Sequence, residues 1–183
     1  HSIDGGSLKF DYFSLDEKNR LSVFASAANT DRDSYYGPGN DPLKAYGKTT
    51  DLTAMGGAQY VHTFDKCFFM PSDLTAGLEY NRDRLKDNMW GYNRHTDQTV
   101  NIYSAFLQNE WKNDRWGILI GGRLDKHNMV DNVIFSPRAN LRFNPTQNIN
   151  LRLSYSSGFR APQAFDEDMH IENVGGTVAM IER

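Results

Sequence analysis

The residues of this 183-residue chain that could bind a cation or move a proton come in small groups. Asp166, Glu167, Asp168, His170 and Glu172 gather four carboxylates and one imidazole near the C-terminal end. Carboxylate oxygens are ligands for hard cations, but this spacing fits neither a calcium loop nor a zinc motif, and the group reads as a solvated loop. Asp31, Asp33, Asn40 and Asp41 invite a calcium reading as well; Gly37-Pro-Gly39 between them signals a turn-rich loop instead. Glu79, Glu110 and Asp125 raise the paired carboxylates of glycoside hydrolysis. Arg123, Arg138, Arg142 and Arg152 recur on the same polar face and can neutralise them. His62, His95 and His127 are isolated, with no Ser or Cys nucleophile motif nearby. Gly56-Gly57 and Gly121-Gly122 lie within alternating segments and form no phosphate-cradling loop. The single cysteine, Cys67, excludes a disulfide framework and a cysteine-based zinc cluster. The sequence therefore assigns no catalytic residue, no metal ligand and no cofactor. The candidate binding residues are aromatic: Tyr35, Tyr36, Trp90 and Tyr92, all in long polar links, where they either meet a ligand arriving from outside or form an aromatic girdle.

The elements that must position these residues repeat one pattern. Apolar and polar residues alternate with period two over Ser7–Leu15, Arg20–Thr30, Thr50–Phe64, Asp73–Leu85, Gln98–Lys112, Trp116–Lys126, Phe135–Asn144 and Asn148–Arg160. Such alternation predicts half-buried β-strands. Eight in succession, many longer than ten residues, exceed the usual strand of about 5–6 residues. Pro137 cannot donate to a ladder, and a bulge near the loop end of its strand would absorb it. The links alternate too. Asp16–Asn19, Asn113–Arg115 and Pro145–Gln147 are tight, and Asp65–Ser72 is somewhat longer; Asp31–Thr49, Lys86–Asp97, His127–Val133 and everything after Ala161 are long. In an up-and-down meander this puts all tight turns at one end and all long loops at the other.

Composition narrows the class. Twenty Lys and Arg against 23 Asp and Glu leave a net charge of −3, without the basic stripe that a nucleic-acid backbone attracts. No apolar run approaches the roughly 18 residues a transmembrane helix needs. Aromatic residues at 13% and fifteen glycines favour β structure with turns. A soluble sandwich shares the alternation, but not the strand length or the sorting of links by end. A transmembrane β-barrel accounts for all three, with apolar side chains on lipid, polar ones in the lumen, short periplasmic turns and long outer loops. A complete eight-stranded barrel and a soluble all-β binding or carbohydrate-active domain stand as the alternatives.

Leu151-Arg-Leu-Ser-Tyr-Ser-Ser-Gly-Phe-Arg-Ala-Pro162 and its continuation to Ile171 resemble the strand-then-loop signature of TonB-dependent outer-membrane receptors. Leu74-Thr-Ala-Gly-Leu-Glu-Tyr80, Tyr103–Trp111 leading to Gly121-Gly-Arg-Leu-Asp125, and Phe135-Ser-Pro-Arg-Ala-Asn-Leu-Arg-Phe143 resemble the same family's barrel, in the family's order. The Gln163–Ile171 stretch is most like Bacteroidetes receptors of the cobalamin and siderophore type. The resemblance implies that residues 1–183 are part of a 22-stranded outer-membrane barrel whose plug domain and remaining strands lie elsewhere. It also implies import of a large scarce nutrient, with energy from TonB reaching the receptor through an N-terminal part not in this sequence. Arg160, in the Gly-Phe-Arg-Ala-Pro motif, joins the four aromatics as a candidate ligand contact. The partners expected are outer-membrane lipid, an extracellular small-molecule nutrient and TonB; no nucleic acid and no enzymatic activity are expected.

Overall fold

The computed structural model describes residues 1–35, 46–90 and 94–159. They form eight strands: β1 Ser2–Phe13, β2 Asn19–Tyr35, β3 Tyr46–Cys67, β4 Met70–Met89, β5 Arg94–Lys112, β6 Trp116–His127, β7 Ile134–Thr146 and β8 Ile149–Ser156. Each pairs antiparallel with its neighbours in sequence, giving one sheet in the order β1 to β8. Among the described residues β8 does not pair with β1, so the sheet is an open arc and not a closed eight-stranded barrel.

The register carries the period-two pattern across the whole sheet. Phe10, Val23, Ala58, Leu78, Ala105, Leu124 and Phe135 are successive cross-strand partners on one face. A one-residue slip in any pair would throw that strand's apolar set to the other face. This face is bare: Leu78 is 65% exposed, Leu107 56% and Leu153 69%. The buried side chains are instead polar, with Ser72, Thr75, Asp87 and Ser104 all shielded from solvent. A water-soluble core has the opposite distribution. A sheet whose apolar face meets hydrocarbon and whose polar face lines a wet interior requires the one observed.

On the polar face two rings sit against glycines. A Cβ at Gly77 would stand 2.3 Å from Phe106 Cζ, and one at Gly57 2.9 Å from Phe24 Cζ. The missing side chains make room for the rings, which cover backbone that would otherwise be exposed.

Strands β1 to β7 are longer than their alternation predicts, while β8 ends at Ser156 with Ser157 to Phe159 outside it. The expected link Asp31–Thr49 is bounded instead by Tyr35 and Tyr46, and two further links shrink. The expected turn Asp65–Ser72 is only Phe68 and Phe69, with Phe68 at φ 62° and a register shift between Phe64 and Cys67. The expected loop Lys86–Asp97 is mostly ladder, from Met89 paired with Arg94 down to Asp87 paired with Thr96. Polar side chains on both faces hide the alternation there, so only backbone pairing extends the strands. Leu15 falls outside β1, fully exposed in the first turn. Pro137 needs no bulge. Its carbonyl accepts from Ser157 N at 3.1 Å, so its nitrogen also faces β8, where the ladder ends at Ser156. Toward β6, Pro137 pairs with Gly122 without a register shift.

Side chains make the tight turns. Ser14 Oγ accepts from Asn19 N at 3.0 Å and Asp16 Oδ1 from Lys18 N at 3.1 Å. Asn113 Oδ1 accepts from both Arg115 N and Trp116 N, at 2.9 and 2.7 Å. Asx turns of this kind fix the chain reversal locally.

Candidate functional site

Two levels of the sheet differ along the strand axis. From Trp111 to Tyr103 on β5 the outward residues run Trp, Asn, Leu, Ala, Tyr. Those eight steps span about 27 Å along the strand, or about 21 Å at a tilt of 40°, close to the roughly 25 Å apolar band of an outer-membrane barrel. Aromatic pairs mark both limits. Trp116 stacks on Phe143 and Trp111 on Phe69 at the tight-turn end, with ring centroids 4.2 and 5.7 Å apart. Tyr80 and Tyr103 meet at 4.9 Å toward the long-link end. Beyond them β2 to β5 continue for nine or ten more residues, while β6 stops at His127. In that projecting part the outward face turns charged: Asp97 lies 3.6 Å from both Arg84 and Lys86.

Within the band the inner wall carries ion pairs. The Arg123 guanidinium lies 2.6 Å from Glu79 and 2.8 Å from Asp125, and Ser104 Oγ donates to Asp125 at 2.5 Å. Glu79 and Asp125 therefore flank one cation and are not poised as an acid and a base. Asp73 is held by Lys112 at 2.5 Å and Thr63 Oγ1 at 2.8 Å. The other expected partners behave differently. Among the described residues Arg138, Arg142 and Arg152 form no ion pair; Arg142 donates to the Asn113 carbonyl and Arg152 to Asn150.

Above the band the inner wall is acidic. Asp83 and Asp87 on β4 and Asp51 on β3 project to one side, because Asp51 pairs with Leu85 and Thr49 with Asp87. Asp87 is 2% exposed; Thr49 Oγ1 donates to its Oδ1 at 2.6 Å, and its Oδ2 has no protein partner. Burial, and then the facing Asp51 carboxyl, push the Asp83 pKa up to about 6. Two carboxylates that close on a partly dry wall retain a proton between them.

The sequence-predicted contacts separate. Tyr35 ends β2 directly opposite Tyr46, with ring centroids 5.0 Å apart, and Trp90 follows Met89, the partner of Gly47. The register thus brings Tyr35, Tyr46 and Trp90 to one tip on adjacent strands, all about half exposed. Alternation puts Tyr35 and Tyr46 on the outward side, away from the acidic wall. Tyr36, Tyr92 and Arg160 lie outside the described residues, as do Asn40, Asp41 and the 166–172 acidic group. Tyr46 and the Asp51, Asp83 and Asp87 wall escape a reading of the sequence. The spacing Asp83-x-x-x-Asp87 hints at one face, but only the register opposes it to Asp51.

The histidines have structural partners. His62 bonds Asn19 at 2.7 Å and packs on Phe64, His95 bonds Asn88 at 2.9 Å, and buried His127 accepts from Met129 N at 3.4 Å. Asp31 accepts from Thr50 and Asn29. Among the described residues no group of three metal-ligating side chains comes together, and none of their helices is long and apolar enough to cross a membrane.

Residues 2–178 match the family model described as TonB dependent receptor-like, beta-barrel. No curated protein matches the chain.

Proposed function

We propose that this chain, which belongs to the TonB-dependent receptor-like β-barrel family and so to the outer membrane, forms one arc of a 22-stranded plugged importer for a large scarce nutrient, a cobalamin, a siderophore or another iron complex. The reading follows the Bacteroidetes-type motif after β8 and makes the chain part of a transporter and not an enzyme. One observation supports it above the others: register holds an apolar outer face between two aromatic levels while the opposite face is polar and ion-paired. Lipid outside and water inside demand that arrangement. The tight turns then face the periplasm and the projecting β2–β5 tip faces outward. At that tip Tyr35 and Trp90 meet the incoming nutrient, and Tyr36, Tyr92 and Arg160 are its further contacts. Rigid aromatic surface of this kind gives contact area at low entropic cost.

The full-length receptor in a Gram-negative host provides the test. Uptake of labelled cobalamin and of a labelled ferric siderophore is compared in cells with and without TonB. One of the two should accumulate only with TonB. Removing Tyr35 and Trp90 together to Ala should weaken cell-surface binding of that ligand about tenfold, a truncation cost of roughly 1.4 kcal/mol. Accumulation independent of TonB would overturn the transport reading; unchanged binding in the double variant would remove the aromatic tip from it.

A further inference from the structure

The outward face carries a groove at the Tyr80–Tyr103 level that the nutrient pathway does not use. It is an open groove of about 510 Å³, lined mainly by outward-pointing residues of β3 to β6, with Gly57, Glu79 and Ser104 of the inner face and Val133 beside them. Gly56, Ala58 and Ala105 make a floor of small residues, and Tyr80 and Tyr103 rise beside it. Lys126 stands at the rim, level with Tyr103 on the neighbouring strand. Its ammonium donates to the carbonyls of Val130 and Asp131 at 3.1 and 2.7 Å. Those two bonds leave one of its three N–H groups and its whole charge unspent. Among the described residues no carboxylate pairs with Lys126, nor with Arg82, the next outward residue beyond Tyr80 on β4. The other cations of this region have carboxylate partners, Arg84 and Lys86 sharing Asp97, and Arg123 on the inner wall pairing with Glu79 and Asp125.

We infer that this groove is a binding site for one anionic lipid of the outer leaflet whose phosphate carries net negative charge, with an acyl chain over Gly56, Ala58 and Ala105 and the phosphate on Lys126. The inference rests on the outer-membrane reading and on the tip facing outward. The chemistry commits the occupant. An apolar slot opening toward hydrocarbon takes a chain, and an unmatched ammonium at the aromatic level, where headgroups begin, takes an anion. A neutral lipid would satisfy the slot and leave the cation unpaired. The small floor residues keep the slot open; a Cβ at Gly56 would meet only Phe24 O at 3.4 Å and Ala25 Cβ at 4.0 Å, so a larger side chain there grows into the groove and not into the wall.

Native mass spectrometry of the full-length receptor, released from detergent after incubation with lipid A or with phosphatidylcholine, tests this directly. One lipid A should remain bound at activation energies that strip phosphatidylcholine. Lys126→Gln should lower the lipid A-bound fraction about fivefold, and Gly56→Leu, which fills the slot, should abolish it. Leu153→Trp, elsewhere on the same outward face, should leave it unchanged. Heat-modifiable migration of every variant on a gel reports the folded barrel independently. Folded variants at Lys126 and Gly56 that retain lipid A as Leu153→Trp does would overturn the site while leaving the barrel reading intact. Loss of heat-modifiability and membrane fractionation in the unmutated receptor would instead sink that reading itself. Equal retention of phosphatidylcholine, whose phosphate is balanced by its own choline, would show that the groove holds a chain without selecting an anionic headgroup, and would also overturn the inference.

Discussion

The band and the projection above it are built from the same strands, yet they bury opposite chemistry. Between the Trp116–Phe143 and Tyr80–Tyr103 levels, the outward side chains are mainly apolar and the large ones exposed, and the inner face carries the ion pairs of Arg123 and Lys112. Above Tyr80 both faces are polar, and the inner wall shows acids facing acids. The same antiparallel ladder runs through both. The strand backbone is therefore indifferent to its surroundings, and side-chain composition alone marks where lipid begins and ends.

An all-or-none labelling experiment is the sharpest way to break that comparison. In the full-length receptor on intact cells, a membrane-impermeant thiol reagent should miss Cys67, at the tight-turn end, and label Trp90→Cys made on a Cys67→Ser background. Cys67 should react once the outer membrane is permeabilised, since it is only half-buried. The reverse pattern would invert the topology and strip the tip of its outward role.

Next in size is charge placed on the outward face. Leu107→Arg, at the middle of the band, should destabilise the folded barrel in lipid vesicles by about 2–4 kcal/mol, as expected for a cation at the bilayer midplane. Leu52→Arg, outward but above Tyr80, should change it by less than about 0.5 kcal/mol, as surface positions do. Urea titrations followed by tryptophan fluorescence measure both; similar losses would erase the distinction between the regions.

A smaller effect is expected on the inner wall of the band. A valine at Gly77 must displace the Phe106 ring and also crowd the Ala58 carbonyl, 3.0 Å from the new Cβ. Gly77→Val should cost about 1–3 kcal/mol by overpacking. Adding Phe106→Leu should recover part of it in the same titration. A double variant as unstable as the sum of its singles would mean that the ring and the glycine are not coupled.

The smallest effect belongs to the acidic wall. Because the folded-state pKa of Asp83 is raised to about 6, above its ordinary value of 3.8, the folded chain holds a proton that the unfolded chain has lost between these pH values. Stability contributed here is lost as pH rises from about 4 to about 6 and stays level above that. Asp83→Asn should therefore protect β3 and β4 amides from hydrogen exchange at pH 7.5 and make no difference at pH 4. Water at this partly exposed site screens the gain to below about 1 kcal/mol. Equal protection at both pH values would show that the two carboxyls do not interact.

What could be read beforehand follows from how locally each feature is encoded. Eight strands, an up-and-down order and the identity of the apolar face rest on side chains two residues apart, and residues such as Leu74, Ala76, Leu78 and Tyr80 display that period within a single strand. The arginine that neutralises Glu79 was legible in kind, since Arg123 shares its face, but three other arginines fitted equally well and took no carboxylate. Strand ends are invisible in the sequence where both faces are polar, as at Lys86–Asp97, because no alternation marks a strand surrounded by water on both sides.

The sequence by itself determined which face of this sheet meets hydrocarbon, since each strand carries that choice in its own period. Tertiary structure alone decided which residues of different strands stand together: Tyr35 against Tyr46, Asp51 against Asp83, Lys126 beside the small floor of the outer groove. Those meetings depend on register between strands far apart in sequence, as with Thr49 and Asp87, 38 residues apart. Register is set by the summed pairing of whole strands, and no short stretch of sequence holds that sum.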